Sequence, residues 1–281
     1  MSTPPPPQDR SRDRDIPAGL ARPGRVPPPT VSMSSLHDHA DCPASWAHRR
    51  LDRALRPSDK LTGSAAVGNS VHRGLELMAG GATRDEALTP SNDVRLDDES
   101  AAEAASLLDG AIAWPPTDPR RNSLVDVEVS LLGEIDGITV AGVADAIEVG
   151  DDGVWFTSDY KTGQAPSPVA VDDDGNPIYA ASVTRQPTLY AELAESPERH
   201  FGRAKVLYPR SQVVVDVNLD DERGKILRIE ARRWVAFHTA KLHRSIAKGF
   251  FAAKPDPRRC AGCQFASRCP AAALDVASEA A

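Results

Sequence analysis

The sequence predicts an α/β domain. Apolar residues recur at helical spacing in the first third of the chain. The period then shortens to two over three consecutive segments between residues 124 and 161. A long helix-period stretch follows two further strand-like runs, and the chain closes on three clustered cysteines. A length of 281 residues permits one large domain or two small ones.

Residues 1–30 hold nine of the 24 prolines, mixed with Arg and Asp. Such a segment buries too little apolar surface to offset its ordering entropy, so a disordered tail is expected there. One domain is expected over 31–270 and a flexible tail over 271–281. Order begins near Ser32–Leu36, where a serine can cap a helix carrying Leu36, Cys42-Pro43 and Trp46. A second helix, over 66–78, places Val67, Val71, Leu75 and Met78 on one stripe, with His72 beside it. Residues 80–97 read as a polar connection. The spacing predicts a third helix over 98–114, with acidic residues in its first turn and Pro115-Pro116 at its end.

Strands are expected over 124–132, 138–149 and 154–161, with Gly/Asp turns over 133–137 and 150–153. In the third, the two-residue period puts Trp155, Thr157, Asp159 and Lys161 on one face. An acidic insertion follows over 165–184. Its run Asp172-Asp173-Asp174-Gly175 lacks the spaced ligands and closing glutamate of a calcium loop and reads as a solvated turn. Then come a helix over 186–195, strands over 204–208 and 213–216, and a basic helix over 220–250 whose apolar side includes Trp234, Phe237, Leu242 and Ile246. No internal repeat is visible.

No apolar run reaches the length of a membrane span, and the first residues lack the apolar core of a secretory signal, so a cytoplasmic location is expected. The net charge is −7, which argues against a simple nucleic-acid coat protein. Its distribution is uneven. Residues 199–268 carry sixteen Lys/Arg against six Asp/Glu, whereas 131–198 carry two against thirteen. An acidic middle beside a basic end suits a carboxylate metal site flanked by a phosphate-binding surface, or else two solvated faces.

Four cysteines are the whole thiol supply: Cys42 near the start, and Cys260, Cys263 and Cys269 near the end. Clustered thiols in a reducing compartment favour a metal over disulfides. Zinc and an iron–sulfur cluster both suit thiolates, and a one-plus-three split is the less typical of zinc. Asp145 with Asp159 and Lys161 on adjacent strands could hold Mg²⁺ or Mn²⁺, the lysine acting on water and on developing phosphate charge; a surface ion pair is the plain alternative. His72 in Gly68-x3-His72, and Gln186-x3-Tyr190 on one helix face, are each weak signals alone.

In order along the chain, these residues become specific. Ser34-Ser35-Leu36…Cys42-Pro43…Trp46, Gly68…His72, Gly142-Val143-Ala144-Asp145, Asp159-Tyr160-Lys161-Thr162-Gly163, Gln186…Tyr190 and Cys260…Cys263…Cys269-Pro270 resemble the RecB-type exonucleases of the PD-(D/E)XK nuclease superfamily. The likeness is greatest to the iron–sulfur branch, which includes CRISPR-associated and phage exonucleases and the AddB nuclease domain. It implies a restriction-endonuclease-like core, with a central mixed sheet flanked by helices and the N- and C-terminal segments joined at a metal cluster. It implies a Mg²⁺- or Mn²⁺-dependent DNA exonuclease, acting on single-stranded ends in recombination, repair, phage replication or CRISPR adaptation, with a helicase, recombinase or integrase as partner. It makes His72, Asp145, Asp159 and the Tyr160 carbonyl metal ligands, and Lys161 the catalytic lysine. Gln186 and Tyr190 become a nucleic-acid-proximal pair, and Cys42, Cys260, Cys263 and Cys269 the ligands of a 4Fe–4S cluster. Ala144, Ala146 and the acidic insertion depart from the family pattern. The rival reading is a non-catalytic iron–sulfur DNA-binding subunit of a larger complex.

Overall fold

A computed structural model describes residues 19–52, 64–89, 96–172, 175, 177–261, 263–269 and 271. Most of the expected N-terminal tail, most of the C-terminal tail, and Asp173 and Asp174 of the acidic turn lie outside the described residues. No described helix is long and apolar enough to cross a membrane. The chain divides into two compact units: residues 29–34 with 55–239, and residues 1–28, 35–54 and 240–281.

The elements in chain order are β1 (Gly19–Ala21), β2 (Thr30–Ser32), α1 (Met33–Asp41), α2 (Pro43–Arg50), α3 (Ser64–Ala79), α4 (Arg84–Ala87), α5 (Asp98–Ala113), β3 (Leu124–Ile135), β4 (Ile138–Val149), β5 (Trp155–Tyr160), β6 (Ala170–Val171), β7 (Pro177–Ile178), α6 (Ala181–Ala194), β8 (Phe201–Tyr208), β9 (Val213–Asn218), α7 (Glu222–Lys248), β10 (Phe250–Ala252) and α8 (Pro257–Ala261).

The larger unit is built on a mixed sheet in the order β2-β4-β5-β8-β9, with β3 also paired to β4. The β2–β4 and β5–β8 pairs are parallel and the others antiparallel. β3 takes one edge of β4 along its length, so β2 and β5 share the other edge at its beginning and end. From Phe156 to Tyr160 every residue of β5 is buried, as a central strand covered on both faces must be. Helix α3 turns Val67, Val71 and Leu75 into a core shared with Leu107, Leu108 and Ala111 of α5, each such side chain contributing about 1.5–3 kcal/mol on burial. Gly74 belongs to this contact, because a Cβ there would meet Leu108 Cδ2 at 2.8 Å.

Several expectations shift. The polar connection contains α4, which Thr83 and Glu86 start as a reciprocal cap. β3 runs through Gly133, and the turn narrows to Asp136-Gly137, both at positive φ. α6 begins five residues before Gln186. On α7, Leu242 and Ile246 are buried, but Phe237 is 56% exposed; Leu227, Ala231 and Val235 form the rest of the buried stripe. Of the expected tail, Gly19–Ala21 pair antiparallel with Phe250–Ala252 as β1 and β10 of the smaller unit.

In that smaller unit, N- and C-terminal residues meet directly. Trp46 stacks on Phe251 at 5.5 Å and His48 on Phe265 at 5.2 Å. Lys254 and Arg259 donate to the carbonyls of Ala40 and Asp41, which the end of α1 leaves without helical partners.

Candidate active site and a thiol-lined cavity

The cleft of the larger unit forms where β4, β5 and α3 deliver polar side chains to one place. It has a volume of about 520 Å³ and is lined by His72, Asp145, Asp159, Tyr160, Lys161 and Gln186, with Gly68, Asn69, Thr162, Gly163 and Tyr208. Asp159 is 1% exposed. Lys161 Nζ lies 2.7 Å from its Oδ2, and among the described residues no other group hydrogen-bonds the carboxylate. Burial, and then the charge of Asp145, push the Asp159 carboxyl up to about 6. Burial works to lower the Lys161 pKa, but the Asp159 carboxylate prevails and leaves it raised.

Tyr160 joins the other groups. Its main-chain N–H donates to Asp145 Oδ2 at 2.6 Å, and its carbonyl accepts from His72 Nε2 at 3.0 Å. One lone pair of the carbonyl expected to face a metal is therefore directed at His72. On the opposite face of β5, the Tyr160 hydroxyl accepts from Arg121 at 2.9 Å. Arg121 also donates to Glu148 at 2.7 Å, and Glu148 accepts from Ser123 and Ser158 as well. Every charge of this buried pair is hydrogen-bonded, which a buried ion pair requires.

With Nε2 on Tyr160, the His72 Nδ1 faces two carboxylates: Asp145 Oδ1 at 3.5 Å and Glu128 Oε1 at 4.0 Å. Each of the three residues offers a ligand atom within 4.8 Å of the others. Glu128 was not singled out from the sequence. Along Val125–Val129 it reads as one more polar residue of an alternating strand. Its place becomes visible only in the register, between the pairs Val127↔Ala146 and Val129↔Ala144, opposite Asp145. Its φ of +50°, rare for a residue with a Cβ, marks a local distortion of β3 there.

Gln186 lines the cleft, whereas Tyr190 does not: it is 4% exposed and lies against Gly142, where a Cβ would come within 2.2 Å of its ring. Gln186 Nε2 donates to the Tyr190 hydroxyl at 3.3 Å, so the tyrosine supports the glutamine from behind. Gly68 admits the Thr162 side chain, with 3.2 Å between a Cβ and the hydroxyl, rather than another backbone.

The basic C-terminal tract is less open than its charge suggests. Arg203 pairs with Asp216, Arg228 with Glu192 and Glu195, Arg232 with Glu192 and Asp136, and His200 sits between Glu195 and Asp220. Folding interleaves the acidic middle with the basic end.

In the smaller unit, Cys42, Cys260, Cys263 and Cys269 line one cavity of about 220 Å³. None is in a disulfide. Cys42 occupies the N-cap position of α2 in extended backbone, and the other three are set by consecutive tight turns over 260–269. The Asp256 main-chain N–H donates to Cys260 Sγ at 3.3 Å. His48, on the last turn of α2, lines the same cavity.

The model of the PD-(D/E)XK nuclease superfamily matches residues 30–270 of the chain. No curated protein matches it. Among solved structures, it is similar to that of SSO0001, with a TM-score of 0.46 and 18% identity over 88% of this chain and 89% of that one. It is also similar to a "putative exonuclease" from Eubacterium rectale, with a TM-score of 0.52 and 11% identity over 84% of this chain and 93% of that one. At such identity this second likeness is one of fold alone.

Proposed function

Because this chain belongs to the PD-(D/E)XK nuclease superfamily, we propose that it is a Mg²⁺- or Mn²⁺-dependent deoxyribonuclease, an exonuclease of the RecB type that takes single-stranded DNA ends. The observation that carries this reading is the Asp159 carboxylate: buried, paired with Lys161, and set in one cleft with Asp145 and His72. A buried carboxylate with unused lone pairs is costly to leave alone, and a divalent cation suits it. Asp145 and Asp159 would hold the ion, with His72 and the free lone pair of the Tyr160 carbonyl beside them; a histidine in the set favours Mn²⁺. When bound, such an ion polarises the scissile phosphate and acidifies a bound water. Lys161 orients that water and stabilises charge developing on the phosphate. The water oxygen gives up a proton and bonds to phosphorus as the bond to the leaving ester oxygen breaks, and that oxygen takes up a proton from solvent, giving one phosphate end and one hydroxyl end. Gln186, steadied by Tyr190, presents an amide to the nucleic acid.

Cys42, Cys260, Cys263 and Cys269 would hold a 4Fe–4S cluster. Their shared cavity is several times the ~30 Å³ of one water, which suits a polynuclear centre better than a single ion.

The test is digestion of end-labelled single-stranded DNA by cluster-loaded protein with Mg²⁺ or Mn²⁺ and with EDTA. Cleavage with either ion, none with EDTA, and slow cleavage by Lys161→Ala are expected. Absence of cleavage, with DNA binding retained, replaces this reading by a non-catalytic iron–sulfur DNA-binding subunit.

A further inference from the structure

His48 is 6% exposed, and its ring lines the cavity of the four cysteines. Its Nδ1 lies 3.1 Å from Asp52 Oδ2. Asp52 is itself gripped by Arg22, through Nε at 2.5 Å and a terminal nitrogen at 2.6 Å. A carboxylate only accepts, so Nδ1 carries a proton and donates it. The ring stacks on Phe265, between Cys263 and Cys269 in sequence. Nε2 is then its one remaining polar atom, and it is buried without a partner among the described residues. An unpaired buried nitrogen costs about 1–3 kcal/mol unless something answers it.

We propose that His48 is a positioning residue of the thiolate centre: as an imidazolium, with its Nδ1–H given to Asp52, it donates its Nε2–H to a sulfur and so helps to set the reduction potential. The inference rests on the cluster reading above. The groups around the ring are consistent in sign: Arg22 holds Asp52, Asp52 holds one face of the imidazole, and four thiolates with bound metal place negative charge on the other. Hydrogen bonds to cluster sulfurs and outer-shell contacts to ligands are the usual means by which a protein tunes such a centre. A donor stabilises the more negative, reduced form, so its loss lowers the potential.

The experiment uses the full chain, purified and reconstituted anaerobically with iron and sulfide, and reads iron content, midpoint potential and bleaching in air. His48→Phe keeps the ring on Phe265 but removes both nitrogens. Iron content equal to wild type, a more negative midpoint potential and several-fold faster bleaching are expected. His48→Gln, whose amide can donate, should recover most of the potential. A loaded His48→Phe protein with unchanged potential overturns the proposal. If that variant does not fold or load, Asp52→Asn decides: a smaller negative shift supports the proposal, and an unchanged potential overturns it. Wild-type protein that takes up no iron instead rejects the cluster reading, and this inference with it.

Discussion

The carboxylate of Asp145 accepts the Tyr160 main-chain N–H at 2.6 Å, from the neighbouring strand. The residue fixes the strand that carries Asp159, besides the task in metal binding proposed for it. Asn keeps an acceptor but no charge, whereas Ala keeps neither. Asp145→Asn is expected to lose Mn²⁺ affinity while folding normally. Asp145→Ala should in addition lose about 1–3 kcal/mol of stability, the cost of stranding a buried donor. Calorimetric Mn²⁺ titration and urea denaturation separate the two effects.

Among the described residues, Lys161 is within ion-pair range of Asp159 alone. Lys161→Ala should leave Mn²⁺ and DNA affinity largely intact and reduce the single-turnover rate on the order of 10²-fold or more, as removal of one preorganised electrostatic group does. Equal rates for mutant and wild type contradict the assignment.

Glu128 holds a positive φ while facing His72 and Asp145. Glycine accepts that conformation freely. Glu128→Gly should therefore be more stable than Glu128→Ala by about 1 kcal/mol, though both weaken Mn²⁺ binding. If the alanine variant is the more stable, the strain is not real.

Arg232 and Arg233 are adjacent but not equivalent. Arg232 is committed to Glu192 and Asp136, whereas Arg233 is exposed and has no ion pair among the described residues. Arg233→Glu should weaken single-stranded DNA binding and flatten its salt dependence with little effect on stability. Arg232→Glu should mainly destabilise, because Glu192 is largely buried. Fluorescence anisotropy at several salt concentrations, paired with melting curves, checks both.

His200 donates to Glu195 and Asp220, and these hydrogen bonds raise its pKa above the ordinary histidine value. A raised pKa means the folded state holds the proton more tightly than the unfolded chain. The contribution is complete below about pH 6.5 and is lost as pH rises through the folded value. The group is 59% exposed, so screening keeps the effect small. The Tm difference between wild type and His200→Gln should shrink from pH 6 to pH 9. A difference that grows contradicts the pairing.

Much of this was legible in the residues. The α3 stripe of Val67, Val71 and Leu75 and the β5 alternation follow from local period, which a sequence states directly. Asp145, Asp159 and Lys161 do meet, because β4 and β5 are joined by a short turn and their register is narrowly set. Phe237 was misplaced because it is apolar without facing the core; on a long helix, several stripes satisfy the period and packing selects one. Glu128 and His48 gave no signal for a different reason. One reads as the polar side of a strand, the other as basic charge at a helix end complementing its dipole.

The sequence by itself determined the class of fold, the order of its main elements and most of the polar residues that line the cleft. Period, caps and turn chemistry act within a few residues, and motif spacing carries the rest. Tertiary structure alone decided which polar groups share an environment. It set Glu128 across from Asp145, buried Asp159 against Lys161, placed Tyr190 under Gly142, drew acidic residues onto the basic tract, and brought His48 and four distant thiols around one cavity. Such contacts join residues far apart in the chain. Their energies depend on burial and on the exact partner, and neither quantity exists until the strands and helices have packed.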